Sequence, residues 1–226
     1  MTNIDRSHPA LQFMQCTNEQ CGLRYPQAIH PQLSAGCPRC GSPVRVVAQC
    51  GSAQQTQVTQ PPRPLAVNLL LDNIRSAHNV GSMLRTADGA GVRHVYLCGI
   101  TPTPQQANVR KTALGAEKGL SWSVHSNGAA QAMRLQEAGQ FLCAIEGSGN
   151  ASSLFAEPFM AEQFNASAAQ QIVLIIGNEI SGVDPGILAQ CQRRWFLPML
   201  GAKRSLNVAV ACGIALYHLR FAVGAM

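Results

Sequence analysis

Three short polar segments of this 226-residue chain interrupt otherwise apolar stretches, and each falls where a strand is expected to meet a helix. The first runs from Asn79 to Arg85, the second holds Glu179 between two glycines, and the third contains Ser205 and Asn207. Core packing requires none of these polar side chains, whereas loops that follow the strands of α/β proteins often bind ligands. Three such junctions in one chain therefore predict one shared binding site.

Each segment taken alone also has a purely structural interpretation. Asn79 and Ser205 could be helix N-caps, and the glycine-flanked Glu179 could belong to an ordinary strand-to-helix turn. Arg85 falls among residues expected to pack on a sheet, where a guanidinium needs a partner, so it could form an ion pair with Glu179. Asn207 would face into an apolar helix and must find hydrogen-bond partners there. Only the combination of the three segments favours a functional site.

Two close pairs of cysteines near the N-terminus have the spacing of a metal site. They are Cys16 with Cys21 and Cys37 with Cys40, and a glycine follows each pair. Four thiolates at these separations suit tetrahedral zinc, and each glycine lets a backbone N–H turn toward a sulfur. A unit of about fifty residues also lacks the apolar content to fold alone, so the metal would stabilise it. A redox Cys-x-x-Cys motif is the alternative, but it leaves the other pair unexplained. The unit resembles a zinc ribbon.

The surface of this N-terminal unit has two interpretations. Arg24, Tyr25, Arg39 and Arg45 could contact the backbone of RNA and stack on one of its bases. They could equally form an ordinary solvated surface, and the sequence does not decide between the two.

Composition excludes several classes of protein. Hydrophobic residues make up 46% of the chain and charged residues only 12%, which is typical of a folded globular protein. The net charge of +6 mildly favours a polyanionic partner such as RNA. No signal peptide is visible at the N-terminus, and the most apolar run, 206–217, is too short to cross a membrane. Cys98, Cys143, Cys191 and Cys212 lie in core-like segments, so we expect a reducing, cytoplasmic location.

The chain divides near residue 52. Residues 53–64 are polar and rich in proline, with no periodicity, which is typical of a linker. We therefore predict a zinc-ribbon-like unit over 1–52, a linker over 53–64 and a larger domain over 65–226.

The larger domain has the alternating pattern of an α/β protein. Residues 66–71 form a continuous apolar run, as expected for a parallel strand covered on both faces. Further strands are predicted over 94–99, 141–146, 172–176 and 195–198. Helices are predicted over 80–90, 129–138, 185–190 and 205–222. This alternation predicts a parallel sheet with helices on both faces, with ligands bound beyond the carboxyl ends of its strands.

In this order and spacing, the three polar segments resemble the signature motifs of the SpoU family, also called TrmH, of RNA ribose 2′-O-methyltransferases. The resemblance covers about residues 65–222, and the segment 111–118 also looks like the family's sequence before its middle strand. It implies a SPOUT fold whose C-terminal chain threads through a loop to form a trefoil knot, a rare exception to unknotted topology. It also implies a homodimer with the methyl-donor site near the dimer interface. The N-terminal cysteine unit is not part of the common family core.

The same resemblance implies a cofactor and the groups that hold it. S-adenosylmethionine would lie in the knot, where glycines allow close approach of the backbone. Backbone groups of the knot loops would bind it around Gly177, Leu197, Met199, Gly201 and Leu206.

A mechanism follows from the resemblance as well. A ribose 2′-oxygen would attack the sulfonium methyl in line, with positioning supplying much of the rate. The family assigns activation of the 2′-hydroxyl to the arginine that matches Arg85. Because a guanidinium does not normally lose a proton in proteins, we favour binding of the adjacent phosphate and stabilisation of the developing alkoxide. Glu179 would orient Arg85 or its neighbours, and Asn207 would fix the loop and the substrate. Asn79 and Ser205 match the family's remaining polar positions.

The sequence leaves the RNA and one rival function open. Transfer RNA and ribosomal RNA are both compatible substrates. The rival is a non-catalytic RNA-binding protein that uses the knotted domain as a dimerisation scaffold and the zinc unit as the reader. Intact Arg85, Glu179, Ser205 and Asn207 favour the enzyme, since a scaffold needs none of them. A base nitrogen as methyl acceptor is disfavoured by the motif from Asn79 to Arg85.

Overall fold

The computed structural model of the protein describes residues 11–29, 36–50, 66–147, 149–156 and 171–221. Contacts between residues divide the chain into two compact units, Met1–Val58 and Thr59–Met226. The division falls inside the predicted linker 53–64, a segment that lies outside the described residues.

The smaller unit contains a three-stranded antiparallel sheet. Its strands are β1 (Leu11–Cys16), β2 (Arg24–Ala28) and β3 (Val44–Gln49), in the order β2-β1-β3. Along β1 every second residue is buried, because successive side chains of a strand point to opposite faces. The four cysteines of the predicted metal site lie at the end of β1 and in the turns that precede β2 and β3.

The larger unit is built on a seven-stranded sheet in which all the described strand pairs are parallel. The sheet order is β6-β5-β4-β9-β7-β10-β8. In chain order the strands are β4 (Ala66–Asp72), β5 (His94–Cys98), β6 (Ser121–His125), β7 (Phe141–Ile145), β8 (Ser152–Ser153), β9 (Gln171–Ile176) and β10 (Arg193–Phe196). The helices are α1 (Ala77–Gly89), α2 (Ala107–Ala113), α3 (Gly128–Glu137), α4 (Pro185–Leu188) and α5 (Val208–Phe221), with a 3-10 helix at Ala116–Lys118. Across the described ranges, none of the helices has both the length and the apolar character of a membrane span.

Two apolar layers cover this sheet, one on each face. All seven residues of β4 are buried, including Asn68 and Asp72, the two polar residues of this otherwise apolar strand. On one face, Leu84 of α1 and Leu216 of α5 belong to the same apolar cluster as Leu69. On the other face, α3 and Ile187 of α4 pack in the cluster of Leu70. Each fully buried leucine of this kind contributes about 1.5–3 kcal/mol relative to exposure. The predicted α/β fold, a parallel sheet with helices on both faces, is therefore confirmed.

The predicted elements exist, but several of their ends are shifted. β10 occupies Arg193–Phe196 instead of 195–198, and α4 ends at Leu188 instead of residue 190. The sequence does not predict α2, β6 or β8. β6 lies at the edge of the sheet and alternates polar with apolar residues, so it lacks the continuous apolar run of a central strand.

The starts of α1 and α5 also differ from the prediction, and both differences involve capping residues. α1 begins at Ala77, and its N-cap is Ser76, whose hydroxyl accepts a hydrogen bond from the Asn79 amide at 3.3 Å. Asn79 is therefore not the cap but lies in the first turn. α5 begins at Val208 instead of residue 205, because Asn207 directly precedes the first helical turn and caps it.

Candidate active site

A cavity of about 440 Å³ lies beyond the carboxyl ends of β7, β9 and β10. Its walls come from the loops that follow these strands and from the first turns of α1 and α5. Apolar side chains of Ile145, Ile176 and Phe196 line one part, and polar groups such as Glu146 and Asn178 line another. The cavity thus lies at the sheet edge where the α/β pattern predicts a ligand.

This cavity brings together eight of the ten residues that the sequence indicates as catalytic or cofactor-binding. They are Asn79, Glu179, Ser205, Asn207, Gly177, Leu197, Met199 and Leu206. The other two, Arg85 and Gly201, are not among the lining residues.

Glu179 joins the loop after β9 to the start of α1. Its Oε2 accepts a hydrogen bond from the Arg75 amide at 2.9 Å. Its Oε1 accepts from the Ser76 amide at 3.2 Å and from Asn79 Nδ2 at 3.0 Å. The amides at the start of a helix form its positive end, which favours an ionised carboxylate. The first turn of α1 is thereby held against the cavity.

The same hydrogen bonds set the charge of Glu179. Partial burial by itself raises the pKa of this carboxyl, but donation from the Arg75 amide, the Asn79 side chain and neighbouring amides outweighs it. The pKa of Glu179 therefore lies below its ordinary value. An ionised carboxylate that already accepts three hydrogen bonds is better suited to positioning its neighbours than to removing a proton.

Asn207 completes the network from the side of α5. Its Nδ2 donates to Asn79 Oδ1 at 3.2 Å, and its Oδ1 accepts from the Ala209 amide at 2.8 Å. Asn207 therefore has the hydrogen-bond partners that were expected, but it is exposed and precedes α5 instead of facing into an apolar helix. Ser205, by contrast, does not cap α5: its exposed hydroxyl borders the cavity and makes no hydrogen bond with the described part of the chain.

Arg85 does not join this network. It is exposed on α1, while Met83, Leu84 and Ala87 occupy the positions that pack on the sheet. The expectation that Arg85 lies among the packing residues is wrong, and the alternative of an ion pair with Glu179 is not realised. Within the described ranges its guanidinium makes neither a hydrogen bond nor an ion pair. This cation is therefore available to an anion from outside the chain.

One acidic residue of the cavity is not singled out by the sequence. Glu146 directly follows β7, and its Oε2 accepts a hydrogen bond from the Val183 amide at 2.9 Å. The loop that it contacts is tight, because Asn178 and Gly182 exchange backbone hydrogen bonds of 2.9 and 3.0 Å. Gly182 has a φ of +74°, and a Cβ there would collide with the Glu146 carboxylate. A charged residue before Gly147 at a strand end is the signal that could have identified it.

A further connection joins the loop after β4 to the loop after β9. Asn178 Nδ2 donates to the Asn73 carbonyl at 2.6 Å, and Asn73 Nδ2 donates to the Asp72 carboxylate at 3.0 Å. Burial raises the pKa of Asp72; the hydrogen bond from Asn73 opposes this effect and the nearby charge of Asp184 adds to it. The loops after β4, β7 and β9 are thus bonded to one another and form a fixed floor for the cavity.

Four cysteines form a candidate metal centre in the smaller unit. The Sγ atoms of Cys16, Cys21, Cys37 and Cys40 all lie within 4.8 Å of one another. The distance between the Cys16 and Cys40 sulfurs is 3.5 Å, and that between the Cys21 and Cys37 sulfurs is 3.8 Å. A tetrahedral zinc ion with Zn–S bonds of about 2.3 Å places its sulfurs about 3.8 Å apart. The donor set and its spacing fit one such ion.

Backbone groups support the cysteine sulfurs. The glycine after each cysteine pair has a positive φ, 55° and 74° respectively. The amides that come next, those of Leu23 and Ser42, hydrogen-bond to the sulfurs of Cys21 and Cys40. Hydrogen bonds from Ser42 lower the pKa of Cys40 to about 6, whereas burial raises the pKa of Cys16 to about 12. A bound cation would allow these unequal thiols to ionise together.

Comparison with known proteins assigns the larger unit to a family. The profile of the SpoU rRNA Methylase family matches residues 66–217. The chain belongs to this family. The match begins at β4 and ends within α5, so it contains every loop that lines the cavity.

Individual relatives carry the names of RNA methyltransferases. The 23S rRNA (guanosine-2′-O-)-methyltransferase RlmB of Vibrio vulnificus is 31% identical over 66% of this chain and 57% of its own length. The 23S rRNA (guanosine(2553)-2′-O)-methyltransferase RlmP of Bacillus subtilis is 32% identical over 67% of this chain and 57% of its own length. The crystal structure of an AdoMet-bound rRNA methyltransferase from Sinorhizobium meliloti matches with a TM-score of 0.60 and 25% identity, over 71% of this chain and 57% of that chain. The chain therefore spans just over half the length of these relatives.

Proposed function

We propose that this chain is an S-adenosylmethionine-dependent methyltransferase that modifies a ribose 2′-hydroxyl of RNA. The observation that carries the proposal is the cavity, in which polar residues from three separate sequence segments meet. Family membership supports the proposal, as do relatives named as 2′-O-methyltransferases and a similar structure that contains AdoMet.

The cavity has the size and lining that a nucleoside cofactor requires. Its volume of about 440 Å³ lies in the usual range for small-molecule sites. Ile145, Ile176 and Phe196 offer apolar surface to a planar base, and Glu146 and Glu179 favour a ligand that carries positive charge. When bound, S-adenosylmethionine supplies a methyl group on a positively charged sulfur. In this proposal the groups that hold it are at Gly177, Leu197, Met199, Gly201 and Leu206.

The polar residues fall into two groups. One group positions the start of α1, and the other faces the RNA. Glu179 and Asn207 hold Asn79, and with it the start of α1. Ser205 presents its hydroxyl to the cavity. Arg85, which is exposed on α1, binds the phosphate beside the target nucleotide and stabilises negative charge on the 2′-oxygen. Because its guanidinium keeps its protons, the proton of the hydroxyl passes to phosphate or solvent.

We infer that the active form is a homodimer with the C-terminal trefoil knot of its family. Arg85 lies outside the cavity lining of a single chain, which suits a site completed by a second copy. Val210 and Tyr217 are 51% and 46% exposed and give α5 an apolar surface for self-association. In sedimentation experiments we expect the wild-type chain to be a dimer and Val210→Glu to be a monomer. A monomeric wild type contradicts the inference.

We also propose that the four cysteines bind one structural Zn²⁺ and that the smaller unit is a zinc ribbon. The sulfur separations of 3.5 and 3.8 Å support this reading. The reducing cytoplasm would keep these thiols available to the metal.

An assay with purified protein tests the proposed activity. The chain is incubated with methyl-labelled S-adenosylmethionine and with separate transfer and ribosomal RNA fractions, and the RNA is digested to nucleosides. We expect label in a 2′-O-methylnucleoside. Asn207→Ala should transfer much less label, because Asn79 loses one of its two side-chain partners and keeps only Glu179. Label in a methylated base would overturn ribose as the acceptor. Binding of RNA without transfer of label would favour the non-catalytic alternative.

A further inference from the structure

The outward face of the sheet in the smaller unit carries two arginines on either side of its central strand. In β1, Gln12, Met14 and Cys16 are buried, whereas Phe13 and Gln15 are more exposed, which defines an inward and an outward face. The strand register pairs Gln15 with Arg24 of β2 and with Arg45 of β3. Directly opposed residues of antiparallel strands point to the same face. Arg24 and Arg45 therefore flank Gln15 on the outward side.

An aromatic ring lies on the same face. The guanidinium of Arg24 is over the ring of Phe13, with 5.6 Å between the guanidinium carbon and the ring centroid. Phe13 is half-buried in β1, so the ring supports the guanidinium from below and leaves its other side exposed. A guanidinium placed over an aromatic ring in this way offers a planar group on which a nucleobase can stack.

The register separates residues that the sequence alone treats as equivalent. Tyr25 pairs with Met14, so it points to the opposite face from Arg24. Arg39 lies in the turn between Cys37 and Cys40, called here the second cysteine turn, and not in the sheet. Of the four candidates for RNA contact, only Arg24 and Arg45 share one strand face with an aromatic ring.

We propose that this face, defined by Phe13, Gln15, Arg24 and Arg45, binds a single-stranded segment of RNA. Arg24 stacks with a base above Phe13, Arg45 contacts a phosphate, and the amide of Gln15 between them donates or accepts hydrogen bonds. The proposal rests on the proposed function, because the RNA bound here is the substrate whose ribose enters the cavity.

Charge and shape favour RNA over a protein partner. In the described part of the smaller unit the one acidic residue is Glu19, which lies in the first cysteine turn and not on the sheet. The outer strands of a three-stranded sheet are about 10 Å apart, so the two guanidinium groups can contact successive parts of one strand of nucleic acid. Cations beside a stacking platform are typical of proteins that bind single-stranded nucleic acid.

The test uses the full chain, loaded with zinc, and a fluorescent single-stranded RNA oligonucleotide. Arg24→Ala and Arg45→Ala remove a charge from the face, and Arg39→Ala removes the same charge from the cysteine turn as a matched control. Each phosphate contact to a single strand contributes about 0.7 to the slope of log affinity against log salt. We expect Arg45→Ala to lower that slope by about 0.7 and to weaken binding about fourfold at 0.15 M salt. Arg24→Ala should weaken binding at least as much, while Arg39→Ala should leave the slope unchanged.

Two further measurements separate this proposal from the proposed function. Metal content and S-adenosylmethionine affinity should be unchanged in all three variants, which shows that both units remain intact. Arg24→Lys keeps the charge but not the planar group, so it should retain the salt slope and still bind the oligonucleotide more weakly. Equal losses in all three alanine variants, or no loss in Arg24→Ala and Arg45→Ala, would overturn the proposed face and leave methyl transfer standing. If the wild-type chain transfers no methyl group but the variants show the expected salt slopes, the proposed methyltransferase activity is wrong and the RNA-binding face still stands.

Discussion

At the scale of single residues, the polar side chains around the cavity have two different roles. Glu179 accepts hydrogen bonds from two amides of the α1 start and from Asn79, and Asn79 in turn accepts from Asn207. These three residues hold one another. Ser205, which lines the cavity, and Arg85, which lies outside its lining, are exposed and make no such bonds within the described ranges, so both remain available to substrate.

Replacement of Arg85 by alanine tests the second role. We expect methyl transfer to fall about 100-fold or more, because the positive group proposed to stabilise the developing charge is lost. RNA affinity should fall only modestly, since one phosphate contact disappears among several. Single-turnover kinetics and RNA titration measure the two effects separately. Arg134→Ala, an exposed arginine on α3, is the matched control, and an equal loss of activity in that variant would contradict the assignment.

Gly182 provides a test of the contact between the loop after β9 and Glu146. Gly182→Ala must adopt a positive φ and also displace the Glu146 carboxylate. Gly139→Ala is the matched control, because Gly139 has a φ of +76° but an added Cβ there meets nothing within 4 Å. Backbone strain costs both variants about 1–3 kcal/mol of stability. Only Gly182→Ala should also lose affinity for S-adenosylmethionine in calorimetry; equal affinities in the two variants would refute a role for this contact.

At the scale of elements, the sequence predicts the strands that are covered on both faces of the sheet and misses strands that are short or lie at its edge. β4 and β9 are continuous apolar runs and were predictable within a residue or two. β6 alternates and β8 has only two residues, so neither produces a signal of that kind. Arg85 was misplaced because it directly follows the buried residues Met83 and Leu84. Successive residues of a helix differ by about 100° around its axis, so a shift of one position separates a buried from an exposed side chain. Hydrogen-bond partners such as Glu179 with the Arg75 amide depend on the tertiary fold and have no sequence signal.

The attachment of α1 to the loop after β9 should depend on pH through Glu179. Its folded pKa lies below the value of about 4.3 in an unfolded chain. The stabilisation that it provides is therefore fully present above about pH 4.3 and is lost as the pH falls through its folded pKa. Glu179→Gln should unfold more easily than the wild type at neutral pH, and the difference should shrink in acid. Urea unfolding followed by tryptophan fluorescence measures this; a difference that stays constant from neutral to acid pH would contradict the role of the charge.

At the scale of the whole molecule, the two compact units differ in what holds them together. The larger unit buries two apolar layers against a parallel sheet. The smaller unit has three strands and four clustered cysteines, and the chain divides between the two units at residue 58. We therefore expect a unit of that size, without a substantial apolar core, to depend on the proposed zinc ion for stability.

Removal of one metal ligand should therefore affect one unit only. We expect Cys37→Ser to release zinc and to unfold the smaller unit, because a structural site supplies much of its folding free energy. Both tryptophans of the chain, Trp122 and Trp195, lie in the larger unit, so their fluorescence reports that unit alone. Their unfolding curve and the affinity for S-adenosylmethionine should not change. Cys50→Ser, outside the cluster, is the control, and joint unfolding of both units in Cys37→Ser would contradict the division.

Nucleoside mass spectrometry of cellular RNA shows whether this chain methylates a ribose 2′-hydroxyl, as proposed. Transfer and ribosomal RNA are isolated separately from cells with and without the gene, digested and compared. We expect one 2′-O-methylnucleoside to disappear from one RNA fraction when the gene is absent, and to return with the wild-type gene but not with Arg85→Ala. Identical 2′-O-methylnucleoside profiles in both fractions would contradict it.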